Sequence, residues 1–586
     1  MLRNWIINKL TNEEESCRRT LIQQLNISGT LATLLVQRGI KTYNDAKAFF
    51  RPEVGLLHDP FLLNDMDKAV ERLHRALQKN EKILVYGDYD VDGTTAVALV
   101  YKFLQNFSSN IDFYIPDRND EGYGISYKGI DFAAENQFGL IIVLDCGIKA
   151  IEKVAYASEK GVDIIICDHH TPDSTLPNAV AVLDPKRTDS TYPYGHLSGC
   201  GVGFKLIQAY ALTHNIEWEK LQPLLDLLAV SIASDIVPIT GENRVLMHMG
   251  LKQLNTTPSV GLQAIMELCE LVKKNSDGQL CFTTKITTSD IVFKIGPRIN
   301  ASGRMSSGRE AVELLVADHP ETANKKSENI DQYNQLRKDL DKQATEEARK
   351  FIDAMPKDEQ TSSIVVYNQE WNKGVIGIVA SRLSEHYYKP AVVLTLSNGF
   401  ATGSARSVIG FDLYKAIDSC RDLLENFGGH TYAAGLTLRL ENIAEFKERF
   451  QQYVEEHLNE EQQVPQIDID AELHFTEINH RFFSTLQQFA PFGPDNNKPV
   501  FVTYNVVDTQ HRCRLVGQGN KHIKIDVRDI IGGPSMSGIA FNAHDAENTI
   551  KYINSGMPFH ICYTLEENNY NGKQSIQLMV KDIKIP

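Results

Sequence analysis

From Lys82 onward, short apolar runs alternate with helix-like stretches, and this rhythm constrains the fold more than any other feature of the chain. The runs are Ile83-Leu84-Val85-Tyr86, Ile111-Asp112-Phe113-Tyr114-Ile115, Leu140-Ile141-Ile142-Val143-Leu144, Ile164-Ile165-Ile166-Cys167 and Val180-Ala181-Val182-Leu183. Near-continuous apolar strands need cover on both faces, and intervening helices supply it, so the expected fold is α/β with a doubly wound parallel sheet.

A chain of 586 residues is too long for one hydrophobic core. Residues 1–75, with Leu31, Leu34 and Leu35 at helix spacing, read as an N-terminal helical cap on the domain that follows. Residues 76–316 read as the doubly wound domain. A polar stretch rich in Glu, Lys, Gln and Ala predicts one long connecting helix over 317–355. A smaller α/β domain follows over 356–459, with strands at Ser363 to Tyr367 and Ala391 to Thr395 around a helix from Gly374 to Tyr388. After Glu460-Glu461-Gln462-Gln463-Val464-Pro465, alternating β-branched and aromatic residues predict a small C-terminal β-barrel over 465–586.

The start of the chain lacks the apolar core of a signal peptide, and nowhere do about 18 apolar residues run together. Nine cysteines without CxxC spacing suit a reducing compartment better than a disulfide framework or a zinc ribbon. A cytoplasmic protein without a membrane partner is expected. The net charge of −15 argues against a surface coated in positive charge for duplex DNA, but leaves room for a local basic groove.

The chemistry concentrates at the strand ends. The first apolar run leads into Gly87-Asp88-Tyr89-Asp90-Val91-Asp92-Gly93. Alternating aspartates before a glycine suggest a calcium loop, but counting from Asp88 puts Leu99 where a bidentate Glu is required. The segment also follows a strand instead of a helix. Two other runs end in Asp145-Cys146-Gly147 and Asp168-His169-His170, and a parallel sheet brings these ends side by side, where open α/β sheets carry their sites. His169 and His170 can share one site only if the backbone has left the strand, and Thr171-Pro172-Asp173 is such a turn. Carboxylate with imidazole suits Mn²⁺ or another octahedral ion, and several shared carboxylates suggest two ions. Two such ions can generate hydroxide and clamp the attacking and leaving oxygens of a phosphodiester, a chemistry in which His170 would face the scissile phosphate and Asp168 would orient an imidazole.

Asp168-His169-His170 resembles the signature that names the DHH phosphoesterases. Gly87 to Gly93 resembles the first motif of the branch of that superfamily that degrades single-stranded DNA from its 5′ end. The resemblance implies that Asp88, Asp90, Asp145, His169 and Asp235 hold two divalent ions, Mn²⁺ or Mg²⁺. Many relatives place a metal-binding His four residues before the first Asp, and here that position is Leu84, a departure this branch shares. Phe427-Gly428-Gly429-His430 resembles the GGH motif of the accompanying DHHA1 domain, and the C-terminal barrel resembles an OB-fold.

Three further segments look similar to this branch: Pro116-Asp117-Arg118, Gly403-Ser404-Ala405-Arg406-Ser407 and Arg298-Ile299-Asn300-Ala301-Ser302-Gly303-Arg304-Met305, the last two read as loops. By resemblance Arg118, Ser404 and Arg406 receive the terminal 5′-phosphate, while Arg298, Arg304, Gly429 and His430 contact nucleotide near the metals. Phe475, Phe482, Phe483, Phe489, Phe492, Phe501 and Tyr504 are candidates for base stacking as a set, most of them expected in the core. The implied partners are single-stranded DNA, a single-strand-binding protein and a helicase, in DNA repair and recombination. Two alternatives remain: a DHH/DHHA1 enzyme acting on cyclic dinucleotides, short RNA or a phosphoanhydride, and an inactive DNA-binding scaffold. The first would keep the His that is Leu84 here and lack the OB domain, and the second would have lost ligands that this chain retains.

Overall fold

The computed structural model describes residues 3–118, 120–275, 278–356, 361–570 and 573–586. Its five-stranded parallel sheet runs in the order Ile111–Tyr114, Lys82–Gly87, Phe138–Leu144, Asp163–Cys167, Ala181–Leu183. The side chains alternate between two cores, as the period of a strand dictates. Ile83, Val85, Leu140, Ile142 and Ile165 face the helices Val91–Leu104, Gly199–Thr213 and Leu225–Ser234, while Leu84, Ile141, Val143, Ile164 and Ile166 face Tyr127–Glu135 and Ile151–Glu159. The order in which strands are added reverses between Lys82–Gly87 and Phe138–Leu144, with Ile111–Tyr114 on one side and the later strands on the other, which makes the gap beyond their carboxyl ends the topological switch point. Leu84 lies wholly inside the second core.

One helix, Pro320–Asp353, leads to a mixed sheet ordered Leu424–His430, Ala433–Leu438, Phe400–Arg406, Ala391–Ser397, Ile364–Tyr367. Its polar sequence is explained by its packing: only a narrow stripe including Ala323, Ile330, Ala344 and Ala348 is buried. Both sheets and this helix lie in one compact unit, Glu53–Leu458.

The second unit joins the segment ending at Pro52 to Asn459–Pro586. Here the expected cap over residues 1–75 divides. Leu63, Met66, Val70 and Leu73 belong to the core of the doubly wound domain, but Leu21, Leu31, Leu34, Leu35 and Phe49 share a core with Phe475, Phe489, Phe501 and Phe559. The strand Asn4–Ile7 pairs in parallel with Gln466–Ile469. Leucine spacing revealed the helices but carried no information about partners more than 400 residues away. The C-terminal strands Phe501–Asp508, Phe559–Tyr570, Lys573–Lys584, Met536–Ala540 and His522–Asp529 close on themselves, because Val506–Asp508 pairs with Val527–Asp529. Of the seven aromatic candidates, Phe475, Phe482, Phe483, Phe489 and Phe501 are buried, leaving Phe492 and Tyr504 partly exposed.

Arg38 ties this unit together. Its guanidinium donates to Asn496 Oδ1 and to the Asn497 carbonyl, both at 2.8 Å, and to the Leu34 carbonyl at 2.9 Å. Arg38→Ala leaves these partners without a donor and is expected to lower stability by about 1–3 kcal/mol, measurable by denaturant unfolding.

Candidate active site

The loop after the first strand is shaped by close backbone approaches. A Cβ at Gly93 would lie 2.5 Å from the Asp88 carbonyl oxygen, and one at Gly87 would lie 2.4 Å from Val97 Cγ2, so both flanking positions require glycine. Asp90 caps the helix Val91–Leu104, accepting from the Gly93 N–H at 3.1 Å. Asp145 ends the third strand with φ of 59°, a left-handed conformation uncommon outside glycine. Gly199 at the start of its helix abuts this residue so closely that a Cβ would sit 2.5 Å from Asp145 Cβ.

The strand Asp163–Cys167 ends before the two histidines, as sharing a site demands. Asp168 then organises the turn. Its Oδ1 accepts from the backbone N–H groups of His169 at 2.7 Å and His170 at 3.1 Å, and pairs with His170 Nδ1 at 2.7 Å; its Oδ2 accepts from the Ile148 N–H at 2.9 Å. Although burial opposes it, this bonding, led by His170, holds the Asp168 carboxyl down at about 2. Burial pulls the His170 imidazole down, but the Asp168 hydrogen bond and charge raise it above its ordinary value.

His169 turns the other way, into a buried acidic cluster. Its Nε2 lies 3.2 Å from Asp145 Oδ1, 3.7 Å from Asp235 Oδ2 and 3.8 Å from Asp92 Oδ2. Burial first, and then mutual repulsion, pushes the carboxyls of Asp88, Asp90 and Asp145 above their usual range and Asp235 up to about 9. Asp88 Oδ1, Asp145 Oδ1, Asp235 Oδ2 and His169 Nδ1 are buried without a hydrogen-bond partner. Unpaired buried carboxylates are costly unless a cation compensates them, so the donor set fits divalent metal. Asp92, to which the sequence reading gave no role, is engaged differently: it accepts from Gly199 N at 2.6 Å, Cys200 N at 2.9 Å and Ser231 Oγ at 2.6 Å. It anchors the helix start beside Asp145.

Three family models match the chain: the DHH family N-terminal domain over residues 82–232, the DHHA1 domain over 360–456 and the RecJ OB domain over 469–582. The chain is 35% identical over 569 residues to the single-stranded-DNA-specific exonuclease RecJ of Bacillus subtilis, covering 97% of this chain and 69% of that protein. It is 31% identical over 575 residues to RecJ of Escherichia coli, covering 94% of this chain and 95% of that one. The chain belongs to the RecJ family. Among solved structures, RecJ from Thermus thermophilus in complex with Mn²⁺ superposes with a TM-score of 0.83 at 25% identity, over all of this chain and 80% of that one.

Around the acidic centre, this RecJ-family chain gathers positive charge. The segment Arg298 to Met305, expected to be a loop, belongs to the helix Gly296–Met305. Its glycine and asparagine serve packing: a Cβ at Gly303 would lie 2.4 Å from the Tyr89 carbonyl oxygen, and Asn300 Oδ1 accepts from the Val91 N–H at 3.1 Å. The helix is therefore locked onto the first aspartate motif, which single-residue preferences do not reveal. Arg304 donates to the Gly374 carbonyl at 3.0 Å, and burial with the nearby charges of Arg118 and Arg337 pushes its guanidinium down to about 10. Arg118 lies over the Tyr89 ring, 5.1 Å from its centroid. Arg298 is turned aside, with Nε 2.8 Å from Asp331 Oδ1.

The stretch Gly403 to Arg406, also expected to be a loop, lies in the strand Phe400–Arg406, because its small residues fit between two antiparallel neighbours. Arg406 and His430 both pair with Ala433, and Ser404 and Gly428 both pair with Gly435, so strand register puts Ser404, Arg406 and His430 on one face. Gly429 has φ of 152°, and a Cβ there would meet the Ala433 carbonyl oxygen at 2.4 Å. A Cβ at Gly377 would sit 3.1 Å from Ser404 Oγ and 3.3 Å from Arg406 Nη2, which brings the start of the helix Ile376–Tyr387 against this pair.

Tyr123, in the Gly122-Tyr123-Gly124 stretch that follows Pro116-Asp117-Arg118, carries no assigned role in the sequence reading. Its hydroxyl donates to the Asp145 carbonyl at 3.0 Å and stands 3.3 Å from His170 Nε2. The available signal was its place between Gly122 and Gly124, both at φ of 82°, which form a turn that presents the ring.

Proposed function

We propose that this chain hydrolyses single-stranded DNA from its 5′ end, releasing 5′-mononucleotides, with two divalent ions, Mn²⁺ or Mg²⁺, held by Asp88, Asp90, Asp145, His169 and Asp235. One observation carries the reading: buried carboxylate oxygens of Asp88, Asp145 and Asp235 stand without a hydrogen-bond partner at the switch point of the sheet, the last two around His169 Nε2, in a chain similar along nearly its whole length to RecJ exonucleases. Bound there, the ions would supply hydroxide at neutral pH and neutralise charge on the phosphoryl oxygens. His170, held by Asp168, offers an N–H to the scissile phosphate from the solvent side of the cluster. Arg304 steadies the strand beside Asp90.

Arg118, Ser404, Arg406 and the helix start at Ile376 form the receiver for the terminal phosphate, with His430 and Gly429 on the same sheet and Arg298 further along the strand. Arginine and helix amides suit a phosphate of any sequence context. Arg406→Ala is expected to raise KM for 5′-phosphorylated strands by roughly 10- to 100-fold, with little effect on 5′-hydroxyl strands. Initial rates on the two substrates check this. No helix among the described residues is long and apolar enough to cross a membrane, and we place the protein in the cytoplasm, working with a single-strand-binding protein and a helicase in repair and recombination.

The test offers the purified protein, with Mn²⁺, 5′-phosphorylated single-stranded DNA, blunt duplex, single-stranded RNA and a cyclic dinucleotide. Mononucleotide release from the single-stranded DNA alone is the expected result. Equal activity on a circular strand would overturn the end-binding reading, and turnover of the cyclic dinucleotide alone would overturn the whole assignment.

A further inference from the structure

Two exposed apolar side chains, one next to an aspartate of the acidic centre and one on a turn packed against the helix that leads to it, sit in conformations that stability does not favour. Ile236 directly follows Asp235 and leaves the helix Leu225–Ser234 with φ of 59°. Glycine or asparagine usually takes that left-handed position at a helix end, and a β-branched residue there is strained. Its side chain is 64% exposed, so burial does not offset the strain. Such an outlier points toward function.

Phe293 is the second. At 76% it has the highest exposure of any large hydrophobic residue among those described. It lies in the π-helical turn Ile291–Ile295, directly before the helix that carries Arg298 and Arg304. Single π-turns persist mostly where function uses them.

The two segments abut. The π-turn packs against the helix Leu225–Ser234, and a Cβ at Gly296 would lie 2.6 Å from Ser234 Oγ. One segment therefore ends in a carboxylate of the cluster and the other leads into the arginines, and each presents an apolar group to solvent.

We propose that Ile236 and Phe293 form an apolar lip against which unpaired bases of the DNA rest while its phosphates are drawn to the metal centre. The inference rests on the single-strand exonuclease reading. Nucleic acid is the occupant that fits, because Ile236 directly follows Asp235 at the centre that would cleave its phosphates and every unpaired base offers an apolar face. Duplex keeps those faces stacked inside, so the lip rewards single strands whatever their sequence. Base readout is not needed.

The experiment compares kcat/KM on 5′-phosphorylated single strands with natural bases and on strands abasic at the first three nucleotides, for wild type, Ile236→Asn and Phe293→Ser. Asparagine tolerates the left-handed backbone, so Ile236→Asn removes the apolar group while relaxing the strain, and its Tm should rise. Wild type is expected to lose about tenfold or more on the abasic strand, as stacking contacts imply. Each variant should lose about tenfold on the natural strand, and the abasic strand should cost it much less than it costs wild type. Retention of the full wild-type base preference in both variants, or its absence from wild type, overturns the lip while leaving the exonuclease reading intact. Absence of single-strand exonuclease activity from wild type overturns both.

Discussion

Asp145→Asn is expected to abolish nucleolytic turnover, by about 10³-fold or more, while making the metal-free protein more stable. The two effects have one cause. Asp145 is buried, and its carboxyl is pushed well up by burial and by Asp92, Asp90, Asp235 and Asp88 around it. Its ionised form is tolerable only with a cation to answer it. Asparagine has the same shape, accepts the left-handed backbone at φ of 59°, and removes one of the repelling charges. Without metal, the variant should therefore melt above wild type. With Mn²⁺ at about 100 times its Kd, wild type should gain about 2.7 kcal/mol and the variant much less. Thermal melts with and without Mn²⁺, alongside nucleotide release, decide the matter. A variant that keeps both its activity and its Mn²⁺ stabilisation would remove Asp145 from the metal site.

The same residues show how far the sequence could be read. Strand ends were legible because apolar runs stop abruptly, and a parallel sheet leaves no choice about where Asp88, Asp145 and Asp168 must go. Strand order was not legible, so the switch point between Lys82–Gly87 and Phe138–Leu144 became visible only in the structure. Arg298 to Met305 and Gly403 to Arg406 were misread as loops for one reason: their small residues admit backbone contact, with Tyr89 in one case and with neighbouring strands in the other. Local preference sees only the missing side chain. Asp92 carries a different lesson, since it shares the motif with Asp88 and Asp90 but spends its carboxylate on the Gly199 and Cys200 amides and the Ser231 hydroxyl. Spacing alone does not separate anchor from ligand, and Asp92 Oδ2 also stands 3.8 Å from His169 Nε2 in a group with Asp235 that could hold an ion.

His170→Ala should lower the single-turnover rate by about 10²–10⁴-fold at saturating Mn²⁺, with the Mn²⁺-induced rise in Tm preserved. His170 is partly exposed and bonded to Asp168, whereas His169 is buried among the carboxylates, so metal affinity should depend on the second and the chemical step on the first. Asp168→Asn tests the coupling. Asp168 uses both oxygens as acceptors, toward His170 on one side and the Ile148 N–H on the other. An amide can satisfy only one side, so the variant should lose stability as well as rate, by roughly 10- to 100-fold in the latter. If Asp168 acts through His170, the double variant should be about as slow as His170→Ala alone, because an unheld imidazole and a missing one fail at the same step. Multiplied losses in the double variant would instead give Asp168 a separate part in the reaction, and an undiminished single-turnover rate in His170→Ala would leave the transition-state donor to be sought in Tyr123 or Arg304.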